Sequence, residues 1–202
     1  MKIFRALGIL VLILASQTLA GTEGPSAISV HDELNPKRFE LALESGYLFG
    51  FINSPHSYEI GAEFLTARVR WGVLDRDDWL RGYNQFYLSA VGEPIFRGIE
   101  NHYFGLNFGL RYNFVQSGAR FVPYVSGGVG LGWIDSHSSI PGAQGQDFTF
   151  NILSAVGVTY RMNEHWNVNA GILYQHLSNG GQTDPNPSLN LIGPQVGLTY
   201  SF

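Results

Sequence analysis

From Tyr103 to Phe114 the chain alternates with a period of two. Phe104, Leu106, Phe108, Leu110, Tyr112 and Phe114 hold one parity, and Gly105, Asn107, Gly109, Arg111 and Asn113 hold the other. An extended chain sends successive side chains to opposite faces, so the stretch predicts a strand with one apolar and one polar face. The pattern recurs. Phe148, Phe150, Ile152, Val156, Val158 and Tyr160 stand opposite Asn151, Gly157, Thr159 and Arg161, and Phe39, Leu41, Leu43, Tyr47, Phe49 and Phe51 alternate with Glu40, Ala42, Glu44 and Gly46. Five further strands are expected near Tyr58 to Trp71, Gly82 to Val91, Phe121 to Trp133, Trp166 to Ser178 and Leu189 to Phe202; Pro123 and the Gly127-Gly128 pair interrupt the third of these.

Segments of about ten alternating residues, apolar outward and polar inward, are the signature of strands that cross a membrane as a closed barrel. Beyond the first twenty residues there is no uninterrupted apolar run long enough to cross as a helix. The expected fold is therefore all-β, an eight-stranded antiparallel transmembrane β-barrel. The last strand adds to this: Val196, Leu198, Tyr200 and Phe202 share one face and the chain ends on the aromatic, which resembles the closing signature of bacterial outer-membrane barrels.

The amino terminus is read differently. Met1-Lys2-Ile3-Phe4-Arg5 supplies a basic region, Ala6 to Ala15 an apolar one, and Thr18-Leu19-Ala20 a small-residue cleavage site. Residues 1–20 thus read as a secretory signal peptide and residues 21–202 as the barrel, in the outer membrane of a bacterial cell. The chain has no cysteine, which excludes a disulfide framework, a thiolate metal site and a lipoprotein anchor at the cut. Its net charge is −4 with no basic run, so nucleic acid is not an expected partner.

Charges on the polar faces, namely Glu40, Glu44, Glu59, Glu63, Arg111 and Arg161, are expected inside the barrel as a structural ion-pair network. The interior of an eight-stranded barrel is just wide enough to be filled by side chains, and buried charges there must be paired.

The candidate chemistry lies in His176-Leu177-Ser178-Asn179-Gly180-Gly181. With both chain ends on the periplasmic side, the seventh strand runs outward and ends at the cell surface. His176 and Ser178 share the parity of Trp166, Val168, Ile172 and Tyr174, the apolar face, and so point to the outer leaflet. On the eighth strand Asn190 shares the outward parity of Ile192, Pro194, Val196 and Leu198, and the loop from Asn179 to Ser188 returns it close to His176. Polar groups facing hydrocarbon are costly unless satisfied or near the interface, which favours a function for the three. His102, His137 and His165 have no such company and are expected in surface or interfacial roles.

The run from His176 to Gly181, followed by Pro185-Asn186 and a short final strand ending in Phe202, resembles the lipid A 3-O-deacylase (PagL) family over about thirty residues. The resemblance implies an esterase that needs no cofactor or metal and removes the 3-O-linked acyl chain of lipid A in lipopolysaccharide, its partner in the outer leaflet. It further implies Ser178 as nucleophile, His176 as general base, the backbone N–H groups of Asn179 and Gly181 as oxyanion hole, and Asn186 as a loop-stabilising residue. Where the family carries the triad glutamate, ungapped alignment on His176 and Pro185-Asn186 puts Asn190. A Ser-His-Asn variant, a replacement acid such as Asp184, and a degenerate site are three readings of that difference.

A non-catalytic structural or adhesive barrel is the competing class, and a pore for small apolar molecules is a third that a plugged lumen disfavours. The loop from Ser136 to Gln146 fits either of the first two and carries no chemical signature. The lipid-facing wall also has room for a second barrel as a homodimer, which no feature of the sequence selects.

Overall fold

The computed structural model describes residue 34, residues 37–50 and residues 56–202. The proposed signal peptide and Phe51 lie outside the described residues. Eight antiparallel strands close into a barrel in chain order: β1 (Phe39–Gly50), β2 (Glu59–Leu74), β3 (Gly82–Arg97), β4 (His102–Phe114), β5 (Phe121–Ile134), β6 (Phe148–Arg161), β7 (Trp166–Ser178) and β8 (Leu189–Ser201). Every strand pairs with its sequence neighbour, and β1 pairs with β8, so no edge is left open. The two long connections 135–147 and 179–188 emerge at one end, the extracellular end by the usual rule of barrel loops.

The outward faces match the alternation in sequence. Leu43, Leu88, Phe104, Phe108, Val156 and Val196 are exposed around the wall, as lipid-facing side chains must be. Aromatic pairs girdle both ends. Trp71 stacks on Phe86 and Trp166 meets Tyr200 at the periplasmic end, while Tyr47 stacks on Phe96 and Trp133 meets Phe148 at the other.

Two strands run past their expected ends. β3 continues from Val91 to Arg97 through Pro94, whose ring points outward opposite His102 and next to Gly61. A bulge at Phe96 and another at Trp71 adjust the β2–β3 register there.

The lumen divides into two layers. In the periplasmic half Arg68 Nη2 meets Glu44 Oε1 at 2.5 Å, with Glu40 at 4.0 Å and Thr199 Oγ1 at 3.3 Å from Nη1. Arg111 is held by neutral oxygens of Thr159, Asn169 and Asn113 and lies 3.6 Å over the Tyr124 ring. Arg161 is buried below them. The extracellular half is instead plugged by Leu48, Ile60, Phe64, Val91, Leu153, Leu173, Leu177 and Leu191.

This layering corrects part of the expected network. Glu59 and Glu63 face outward: Glu59 accepts from Tyr47 Oη at 2.6 Å and Glu63 from Ser45 Oγ at 2.7 Å, both on the outer wall. In the upper lumen β2 buries Ile60, Ala62 and Phe64, and the glutamates on either side of Ala62 take the other parity. Arg68, which pairs with Glu44 inside the barrel, sits between Ala67 and Val69.

Large lumenal side chains find space over small ones. Asn107 Oδ1 lies 2.0 Å from where a Cβ of Gly130 would be, and the Tyr87 hydroxyl 2.1 Å from that of Gly128. The Gly-rich run of β5 is therefore a recess for side chains from β3 and β4, which is why it remains a strand despite its composition.

Candidate active site

His176 on β7 and Asn190 on β8 are directly paired across the ladder, and both point outward. Their contact is short, with His176 Nδ1 2.8 Å from Asn190 Oδ1. The Tyr174 hydroxyl donates to the same oxygen at 2.7 Å, and Asn190 Nδ2 donates to the Ser188 carbonyl at 3.1 Å.

These contacts fix the protonation pattern. The Ser188 carbonyl can only accept, so the Asn190 amide must direct its NH₂ there and its oxygen toward the ring. An oxygen facing Nδ1 requires Nδ1 to carry the proton, which leaves Nε2 of the neutral imidazole unprotonated and able to accept one. Ser188 adopts a left-handed backbone, φ 53°, just before β8. Such conformations in non-glycine residues cluster where a site fixes a particular geometry.

Ser178 is the last residue of β7 and shares the outward parity of His176. It stands opposite Phe150 while His176 stands opposite Ile152. Hydrophobic side chains thus border the hydroxyl and the imidazole on the β6 side. Among the described residues no hydrogen bond joins Ser178 Oγ to the ring. Catalytic hydrogen bonds of ligand-free enzymes are commonly long and tighten when substrate binds.

The loop after Ser178 is organised around Asn179, which is fully buried. Its Nδ2 donates to the carbonyls of Thr183 (2.6 Å) and Pro185 (3.4 Å), and its Oδ1 accepts from Gly181 N–H at 2.9 Å. Its own N–H donates to Asn186 Oδ1 at 3.1 Å. Gly180 (φ 66°) and Gly181 (φ 74°) are both left-handed, a conformation that glycine adopts without steric cost. The expected outward display of the Asn179 and Gly181 N–H groups is not seen: both are donated to side-chain oxygens of the loop itself. Asn186 Oδ1 is one of those loop oxygens. Asp184 is exposed, and Nδ1 of His176 is engaged by Asn190 in its place.

Sequence reasoning missed three contributors. Tyr174 was legible as an outward residue of β7, but its hydroxyl contact follows only from the register. Ser188 acts through its backbone. Gln146 ties the β5–β6 loop to this one, with Nε2 donating to Gln182 Oε1 at 2.9 Å and Oε1 accepting from Thr183 Oγ1 at 2.5 Å, while Gly145 N–H reaches the Pro185 carbonyl at 2.7 Å. Replacing Asn186 by Ala leaves the buried Asn179 N–H without its acceptor, a penalty of about 1–3 kcal/mol. Amides 179–186 should then exchange with deuterium roughly ten-fold faster or more, with strand amides of β3 and β4 unchanged.

The other histidines are placed elsewhere. His102 and His137 flank Asp135 at 3.7 and 3.8 Å at the extracellular rim, and His165 Nδ1 lies 2.8 Å from the Ser201 carbonyl at the periplasmic end. Burial pushes the Asp135 carboxyl up, but hydrogen bonds from Asn101 and His102 outweigh it and hold the group below its ordinary value. No group of three or more His, Cys, Asp or Glu among the described residues could hold a metal ion.

A closed eight-stranded barrel with an apolar outer belt and aromatic girdles is an integral protein of the bacterial outer membrane. Its fold is that of two solved barrels. Neisserial surface protein A (NspA) superimposes with a TM-score of 0.58 at 14% identity, over 81% of this chain and 97% of that one. The outer membrane enzyme PagL gives a TM-score of 0.53 at 16% identity, over 78% of this chain and 97% of that one. At such identities the likeness is one of fold. No curated protein matches the chain. The family model of lipid A 3-O-deacylase (PagL) matches residues 56–199, and the chain belongs to that family.

Proposed function

We propose that this protein is an esterase that hydrolyses the 3-O-linked acyl chain of lipid A in the outer leaflet, with Ser178 as nucleophile, His176 as general base and Asn190 as the group that orients the imidazole. The observation that carries the reading is the Asn190 amide. Pinned by Tyr174 and by the Ser188 carbonyl, it holds the proton on Nδ1 and leaves Nε2 to take the Ser178 proton.

The chemistry runs in two halves. Ser178 Oγ attacks the ester carbonyl as its proton passes to Nε2, and the imidazolium then protonates the departing sugar oxygen. Water, activated by the same ring, releases the acyl group from Ser178. The intermediate's oxyanion needs donors, which we assign to the N–H groups of Asn179 and Gly181. Both must exchange a loop acceptor, Asn186 Oδ1 and Asn179 Oδ1 respectively, for the substrate oxygen. Phe150 and Ile152 are placed beside Ser178 and His176 to border the acyl chain.

An amide orients a ring without stabilising its positive charge, and exchanging the acid for its amide in a serine protease costs about 10⁴ in kcat. The orientation part of that cost is absent here, since the network sets the productive tautomer. Expressed in a bacterium without lipid A deacylase activity, the protein should yield lipid A lighter by one 3-hydroxyacyl chain in mass spectra. Asn190→Glu should raise the rate at least ten-fold and Asn190→Leu should abolish it. Unaltered lipid A alongside correctly folded barrel would leave a structural barrel as the function.

A further inference from the structure

Six polar side chains in the upper lumen take no part in the chemistry proposed for the outer wall. Glu93, Tyr103, Asn107, Thr149, Asn151 and Gln175 are each 0% exposed. Glu93 Oε1 accepts from Gln175 Nε2 at 2.8 Å. Among the described residues, Glu93 Oε2, Gln175 Oε1, the Tyr103 hydroxyl, Thr149 Oγ1 and both amide atoms of Asn107 and Asn151 have no hydrogen-bond partner. One such group in a protein interior costs about 1–3 kcal/mol, so a concentration of them in one place calls for a ligand.

The six are neighbours. Glu93 and Tyr103 are paired across β3 and β4. Thr149 and Asn151 share the inward face of β6 and act on the Tyr103 hydroxyl, though without hydrogen-bond geometry. The Asn107 amide lies over Gly130, whose partner across β5 and β6 is Asn151.

The charge is equally telling. Glu93 is fully buried, its hydrogen bond comes from the neutral Gln175 amide, and among the described residues no cationic side chain acts on it. A carboxyl group so placed must be neutralised by a proton or by a cation. The cluster offers six oxygens: one of the Glu93 carboxylate, the Gln175 carbonyl, the amide carbonyls of Asn107 and Asn151, which can be turned either way, and two hydroxyls. Oxygen ligation suits a hard cation. A single carboxylate balances a single positive charge.

We propose that this lumenal cage binds a monovalent cation of the sodium or potassium class, coordinated by Glu93 and the amide and hydroxyl oxygens around it. The cation links β3, β4, β6 and β7 from inside the barrel. Gln175 is the immediate neighbour of His176 in sequence, so the site lies directly behind the strand that carries the candidate catalytic residues. The cage stands or falls independently of the esterase reading.

The test uses the purified barrel refolded in detergent with sodium, potassium or choline chloride at equal ionic strength. Wild-type protein should melt roughly 5 °C lower in choline, and Glu93→Gln should melt at one temperature in all three salts. Protein refolded and crystallised with thallium(I) should show an anomalous peak in coordination distance of Glu93 Oε2. Cation-independent melting of the wild type, or the same dependence in Glu93→Gln, would overturn the proposal. Should that variant not fold, the thallium experiment decides alone: a peak in the cage supports the site, and its absence means that Glu93 is a neutral acid.

Discussion

Ser178→Ala and His176→Ala are each expected to leave lipid A fully acylated, with the rate reduced by about 10⁴-fold or more. Residues that act as one unit lose activity together, so the double variant should be no slower than either single one. Both positions are on the outside of the barrel and half-buried, so the variants should fold and insert as the parent does. Heat-modifiable migration on gels checks folding, and mass spectra of lipid A check activity. A Ser178→Ala barrel that still removes the acyl chain would refute the assignment of the nucleophile.

The second large effect is on stability. Glu44→Ala leaves the Arg68 guanidinium buried with only a distant carboxylate, Glu40 at 4.0 Å, and the Thr199 hydroxyl. Removing one partner of a buried ion pair costs about 3–5 kcal/mol, whereas replacing both by apolar residues of similar volume is often neutral. Urea unfolding from lipid vesicles should show Glu44→Ala destabilised by that amount and Glu44→Leu/Arg68→Met close to the parent. If the single variant is as stable as the double, Arg68 is satisfied by other groups.

The fold was legible because lipid and lumen impose opposite demands on alternate residues. In β4 that contrast is complete, and the strand appears as Tyr103–Phe114 in the sequence and His102–Phe114 in the structure. It fails where both faces are apolar. In β2 the inward Ile60 and Phe64 compete with the outward Leu65 and Val69, so parity alone could not direct Glu59 and Glu63. The third strand is expected near Gly82 to Val91, yet Pro94 sits where its ring points outward and the ladder continues.

The site divides the same way. The approach of Asn190 to His176 follows from parity and a hairpin, both of which depend only on sequence spacing, and the register pairs the two directly. The donors of Asn179 and Gly181 depend on loop dihedrals and on side chains that compete for them, which spacing does not encode. Tyr174 and Ser188 enter through the identity of a single shared amide.

The leucines that β1, β6, β7 and β8 turn into the upper lumen, beneath the buried loop residues Ala143 and Asn179, have an electrical consequence. Close packing of these side chains leaves no water-filled path along the bore, so an ion in transit would have to shed its hydration shell. Membranes crowded with this protein should keep the conductance of bare lipid, so a cell can vary its abundance without altering the permeability of its envelope.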